Sequence, residues 1–191
     1  MKNKKLFIIV PIIACAISIT SCKKTDTTTP ATTTTTTTTT TTYTIGKHSG
    51  GGIVFYVDGT GQHGLIADTS NLTASAKWGI GNISMTTGTA IGTGQANTTA
   101  IVAAQANNSF AANVCDQLAV NGYSDWFLPS KDELNLLYLQ KTVVGGFAPN
   151  AYWSSSAVSS TGAWMQDFNT GSQASYGVST AALKFRAVRA F

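Results

Sequence analysis

Trp164, Gln166, Asp167, Asn169, Gln173 and Tyr176 place two aromatic rings, three amides and a carboxylate within thirteen consecutive residues. Aromatic faces stack on sugar rings or apolar side chains, and amides and carboxylates complete hydrogen bonds to hydroxyl and backbone groups. The set is therefore read as a ligand-binding surface, for a glycan or an extracellular protein, carried on a polar turn.

A second concentration of chemistry is GYSDWFLPSKDEL, residues 122–134, with three acids. Two of them have a structural task. Ser130-Lys131-Asp132-Glu133 is an S-x-x-E capping box, in which Ser130 caps the Glu133 amide and Glu133 reaches back, while Asp132 and Glu133 complement the helix dipole. Pro129 keeps Leu128 out of helical geometry and sharpens the start of the helix. Asp125, in the turn GYSDW, is expected to bond local backbone amides. A calcium loop would need alternating acids of the D-x-D-x-D-G kind, and the sequence has none.

The remaining chemical motifs fail in context. Gly59, Gly61 and Gly64 spell G-x-G-x-x-G after a strand, but GLIA follows and reads as a second strand, where pyrophosphate binding needs a helix N-terminus. HSGGG, from His48, lacks a G-x-S-x-G or S-x-x-K partner to supply a nucleophile. His48 and His63 have no second His or Cys close by and are read as loop residues. Cys115 has no neighbouring base in sequence to stabilise a thiolate and is read as a small buried hydrophobe. No catalytic residue, metal ligand or cofactor is assigned, and the expectation is a protein that binds rather than an enzyme.

The elements that must position these residues are legible in outline. Ile53–Val57 is apolar on both faces, as an interior strand is, and Asp58-Gly59 signals a tight hairpin. Residues 70–95, rich in Thr, Gly, Ser and Asn, read as a long irregular excursion around Trp78. TTAIVAAQA and SFAANVCDQLAV follow as helices, the second with Phe110, Val114 and Leu118 facing the core. After the capping box, Leu134, Leu137 and Tyr138 form a buried stripe. YWSSSA (152–157), AWMQDF (163–168) and FRAVRAF (185–191) are strand candidates, and Trp78, Trp126 and Trp153 are expected in the core. The pattern predicts an α+β domain over 44–191, with two helices packed against an antiparallel sheet and the N- and C-terminal strands adjacent. No repeat is visible, and a chain of roughly 150 residues buries about 68–70% of its unfolded surface without disulfides.

The formal charge of +4 misleads, because Lys2, Lys4, Lys5, Lys23 and Lys24 against Asp26 supply all of it. From Tyr43 onward seven bases face seven acids, so no basic stripe points to nucleic acid. Lys2, Lys4 and Lys5 precede the apolar run LFIIVPIIACAISI, which is too short to span a bilayer and reads with residues 1–21 as a signal peptide. ITSC, Ile19 to Cys22, closely resembles the lipobox of bacterial lipoproteins, whose Cys carries lipid as a thioether. Two or three acyl chains, at about 0.8 kcal/mol per buried methylene, anchor stably. Residue 23 is Lys rather than an inner-membrane-retaining Asp, which favours the outer membrane, at either the cell surface or the periplasmic face. Residues 22–43, with Thr at every position from 32 to 42, offer no apolar face and read as a polar tether. About 20 such residues reach at most roughly 65–70 Å.

Taken together, GIVFYVDGTGQHGLIA, IGTGQANTTAIVAAQ, NGYSDWFLPSKDELNLLY, YWSSS, AWMQDF and FRAVRAF resemble the Lcl C-terminal domain family. The resemblance implies a C-type-lectin-like fold, a loop-bearing scaffold whose relatives include sugar-binding lectins and formylglycine-generating enzymes, with adhesin-like binding of sulfated glycans. Calcium-dependent lectins use EPN or QPD with WND triplets and two disulfides, which are absent here. Formylglycine-generating enzymes share the helix start matched by Leu128, Pro129, Ser130 and Glu133, but they need a pair of copper-binding cysteines, and Cys115 alone cannot provide it. The fold transfers and no catalytic residue does. Two alternatives stay open: a structural envelope protein meeting a protein partner through the 70–95 excursion, and an enzyme derived from this scaffold. The anchor reading requires that radiolabelled palmitate enter the full chain and not a Cys22→Ala variant; a full-length product free in culture supernatant would overturn it.

Overall fold

The computed structural model describes residues 41–69, 75–105 and 109–191. The signal-peptide reading of 1–21, Cys22 with its lipid, and most of the Thr-rich linker lie outside the described residues, as does the start of the excursion. In chain order the strands are β1 (His48–Ser49), β2 (Gly52–Val57), β3 (Gly64–Ala67), β4 (Ser75–Ala76), β5 (Ala151–Ser159), β6 (Gly162–Asp167), β7 (Gln173–Gly177), β8 (Leu183–Lys184) and β9 (Val188–Ala190). The helices, all between β4 and β5, are α1 (Gly94–Ala104), α2 (Ala111–Asp116), α3 (Lys131–Leu139) and α4 (Lys141–Val144).

The α+β mixture expected from the sequence forms, with its strands divided between two sheets. One has the order β1-β2-β3-β9 and the other β4-β8-β5-β6-β7. Every pairing is antiparallel except β5 with β8, which is parallel at Tyr152↔Lys184. The closing strand joins the opening hairpin at its second member: Leu65 pairs with Ala190 and Ala67 with Val188. β2 is interior and buried on both faces, sending Val54 into a core with Trp78, Trp126 and Trp153, and Phe55 into another with Leu134, Leu137 and Phe168. All three tryptophans expected in the core are buried, and each indole N–H finds a carbonyl, Trp78 on Ser154, Trp153 on Ala76 and Trp126 on Tyr123.

Several local expectations are corrected. Asp58-Gly59 does not close a two-residue turn: residues 58–63 form the loop, because Asp58 Oδ1 accepts from the Thr60 N–H and hydroxyl at 3.1 and 2.7 Å and the Asp58 N–H donates to the His63 carbonyl. The α2 stripe of Phe110, Val114 and Leu118 is only half-buried. The helix is short and turned so that Ala111, Ala112 and Cys115 face inward instead. Burial pushes the Cys115 thiol well above its usual range. FRAVRAF is not one strand: the chain leaves the second sheet after Lys184 and enters the first at Val188, with Phe185, Arg186 and Ala187 buried in the crossing. Arg186 donates to the carbonyls of Asp68 and Gly146 and lies over the Phe147 ring. The main partner of Asp125 is not its own turn. It takes Arg189 side-on, with both N···O distances at 2.7 Å, which clips the Asn121-Gly122 turn to β9 and holds the Asp125 carboxyl below the ordinary range.

The capping box forms in full. Ser130 Oγ accepts from the Glu133 N–H at 3.3 Å, and Glu133 Oε2 accepts from the Ser130 N–H at 2.7 Å. Glu133 is nevertheless completely buried, and its other oxygen accepts from the Gly92 N–H at 2.7 Å, far off in sequence. The excursion is thereby tied to the helix start. The Asp132 N–H donates to the Thr89 carbonyl and the Ser130 hydroxyl to that of Ala90. Gly88 is held on both sides by the Asn97 amide, and its carbonyl also accepts from the Ser156 hydroxyl.

Desolvation raises the Glu133 pKa above the ordinary glutamate value, against the lowering effect of its hydrogen bonds. The folded chain thus holds this proton more tightly than the unfolded chain. Its contribution to stability is complete below the ordinary value and is lost as pH rises through the raised one. In urea titrations across the weakly acidic range, wild type should gain stability on acidification relative to Glu133→Gln; parallel profiles for the two proteins would refute this account.

Candidate functional site

α3 lies against β6 of the β6–β7 hairpin, while α4 packs on β2. Register puts Trp164 opposite Ser175 and Gln166 opposite Gln173, so these side chains share a sheet face, while Ala163 pairs with Tyr176 on the other. α3 meets the first face with Lys131, Asn135 and Tyr138, spaced as one side of a helix, and Lys141 extends the row. Lys131 sits with its ammonium 4.7 Å from the Trp164 ring centroid. Gln166 Nε2 donates to Asn135 Oδ1 at 2.9 Å and to the Gly171 carbonyl at 3.2 Å, and Gln166 Oε1 accepts from Gln173 Nε2 at 3.3 Å. The same Gln173 nitrogen donates to the Lys131 carbonyl at 3.0 Å. Tyr138 packs edge-on against Phe168 and touches Gly171, whose φ of +86° suits the turn and which has no room for a side chain.

The turn between β6 and β7 is built by Asp167, whose Oδ1 accepts from the Asn169 N–H at 2.7 Å and the Thr170 N–H at 3.3 Å, while the Gly171 N–H donates to its carbonyl. Asn169 is exposed at the crest. There it meets residues 145–149, which connect α4 to β5, and the two segments border an open cleft of about 400 Å³. Phe147 and Phe168 supply its aromatic wall, their ring centroids 4.8 Å apart. Lys141 lines it as well, giving one ammonium hydrogen to the Phe168 carbonyl at 2.7 Å and lying over the Tyr138 ring, which leaves two donors free in direction.

The six residues singled out in the sequence therefore separate by task. Gln166 is fully buried with both ends of its amide occupied, and Gln173 is its partner; both hold the hairpin onto α3. Asp167 shapes the turn. Trp164 is half-buried beneath Lys131. Asn169 reaches the cleft, and Tyr176, 43% exposed, faces away from it toward Trp153. Lys141, Phe147 and Phe168 were not singled out. Lys141 stands at a helix junction and Phe147 in a Gly-Pro-rich connection, and no local pattern marks either as lining a site. Among the described residues no three His, Cys, Asp or Glu side chains converge as metal ligands would.

Replacing Gln166 by Leu keeps the volume and takes away the donor to Asn135 Oδ1 and the Gly171 carbonyl, while Gln173 Nε2 keeps only the Lys131 carbonyl. Stability should fall by about 1–3 kcal/mol for the unsatisfied groups, measured by chemical denaturation. Retention of wild-type stability would mean the clamp contributes nothing.

No curated protein matches this sequence. A family model described as the Lcl C-terminal domain matches residues 78–189, from the buried Trp78 to Arg189 in the closing strand, and so takes in α1–α4, the clamp, the turn and the cleft. Since that match spans more than half of the chain, the protein belongs to the Lcl C-terminal domain family.

Proposed function

We propose that this protein is a lipid-anchored module of the bacterial outer membrane, C-type-lectin-like in fold, that binds a glycan or protein ligand without catalysis. The observation that carries the reading is the rim of the cleft. A turn fixed from within by Asp167 and the Gln166–Gln173 clamp presents Asn169 beside two aromatic rings and a lysine with donors to spare. An amide, an ammonium and an aromatic wall are the groups that recognise a hydroxylated ligand bearing some negative charge, and their positions are set before the ligand arrives, which spares ordering entropy. A sulfated or carboxylated saccharide suits that chemistry, in keeping with the adhesin-like binding implied by the resemblance to sulfated-glycan-binding members of the family.

The test is a glycan array followed by titration of the full chain in detergent. Asn169→Ala should weaken binding about tenfold, the worth of one hydrogen bond to a charged or well-placed partner, with thermal stability unchanged because the residue is exposed. Trp164→Ala and Asp167→Ala should weaken it as well, with some loss of stability. Silence on every glycan together with co-isolation of one envelope protein would replace the reading with a structural role.

A further inference from the structure

A sheet is open at its outer strands, and among the described residues three of the four such edges are closed by ordinary means. β1 and β4 are each two residues long. β9 is three residues long, carries Arg189 and is paired at Val188 by Phe127. Natural sheets protect their edges in these ways, by shortness, charge or cover, and otherwise by a proline or a bulge. β7 has none of them. It runs five residues in unbroken register with β6, and no strand of the described residues lies beyond it. No charged residue and no proline occurs between Asp167 and Lys184. Ser175 and Tyr176, at the centre of the strand, are exposed.

Register tells which backbone groups of β7 are open. The Asp167 N–H donates to the Ser172 carbonyl and the Val178 N–H to the Thr161 carbonyl, so the bonded pairs of this hairpin join Ser172, Ala174, Tyr176 and Val178 to the β6 side. Gln173, Ser175 and Gly177 therefore turn their N–H and C=O groups outward. The Gly177 carbonyl is taken by the Thr180 hydroxyl at 3.0 Å, and the other outward groups are left for a further strand.

The edge fits a second copy of itself. Two β7 strands laid antiparallel with Ser175 opposite Ser175 exchange both bonds at that pair, and each Gly177 N–H meets the Gln173 carbonyl of the other copy. In the same register Tyr176, 43% exposed, falls opposite Ala174 at the closer, non-bonded spacing, so that a large ring covers a small side chain on both sides of the axis. A two-fold contact sets a patch against its own image, and a strand without charge meets that image without repulsion. We propose that β7 is a homodimer interface, through which two copies join their five-stranded sheets into one across a two-fold axis at Ser175. The contact is made by backbone geometry, and it rests neither on the ligand-binding reading nor on the lipid anchor.

The test is the oligomeric state of the full chain in density-matched detergent, measured by sedimentation equilibrium over a range of protein concentrations. Wild type should form a reversible dimer. Ser175→Pro removes an outward N–H and no bond to β6, at the kind of position where an edge strand accepts proline. It should weaken association about tenfold or more, through the hydrogen bonds lost across the axis, with thermal stability close to that of wild type. Should proline disturb the fold, charge decides instead. Ser175→Lys and Ser175→Glu each place like charges opposite one another and should be more monomeric than wild type, whereas the two variants mixed should pair with each other severalfold more tightly than with themselves. Only a contact that sets residue 175 against itself gives that rescue. A wild type that stays monomeric throughout would overturn the proposal and leave the edge to an extended segment of another protein. A dimer whose strength none of the three substitutions alters would also overturn it, since the contact then lies on another face.

Discussion

A buried carboxylate holds the middle of this domain together. Glu133 caps its own helix with one oxygen and the remote Gly92 amide with the other, in a site that water does not reach. Such a group is costly to bury unless every oxygen is matched, and here the matching groups are backbone amides that would otherwise be orphaned. The constraint acts in both directions. Loop 88–92 supplies donors and acceptors for the first turn of α3, and α3, with Asn97 of α1 and Ser156 of β5, supplies the regular structure against which that loop settles. Gly94 shows how close the approach is, because a side chain there would collide with Glu133 Oε2 and the Phe127 ring.

From that joint, rigidity passes outward. The segment before the capping box extends the first sheet, with Phe127 exchanging both backbone bonds with Val188 at 2.7 and 2.9 Å. On the other side, the Lys131 N–H donates to the Ser156 hydroxyl, binding the helix start to β5. α3 is therefore fixed to both sheets at its N-terminus. Its outer side then fixes the β6–β7 hairpin through an amide ladder of Asn135, Gln166 and Gln173. The family match begins at Trp78 and leaves out β1–β4, yet β3 pairs with β9 and β1–β3 complete that sheet, so the matched region alone would expose a sheet edge.

Local signals in the sequence were enough to locate the capping box, the interior strand β2, the three core tryptophans and the buried Cys115, because each depends on side chains only a few positions apart or on bulk that has nowhere else to go. What stayed hidden depends on distant partners. α1 buries Gly94, Asn97, Thr98 and Ile101, a face that reads as polar until Asn97 is matched to Gly88 and Thr98 to the backbone of Leu128. β7, with the sequence QASYG, carries no strand-like run of branched or aromatic residues and exists because β6 is beside it. FRAVRAF alternates as a strand should, and nothing in the alternation tells that only Val188–Ala190 pairs in a sheet while Phe185–Ala187 cross from one sheet to the other. In the candidate site the aromatic and amide residues were visible from their types, but whether an amide faces inward or outward is decided by register. Gln166 and Asn169, three residues apart, ended in opposite roles for that reason.

Under the proposed binding role, that division would let the surface keep its shape while its ligand contacts vary. The residues that hold the hairpin, Gln166, Gln173, Asn135 and the Asp167 carboxylate, spend their hydrogen bonds inside the protein. Those at the rim, Asn169 and the two unengaged directions of Lys141, owe nothing to the fold. Asn169 can be exchanged without loosening the scaffold, and Lys141 only at the cost of its bond to Phe168, whereas changing the clamp would move every rim residue together. The polar character of the hairpin is thus first a means of stiffness, and the recognition chemistry proposed for it is confined to the few side chains left over.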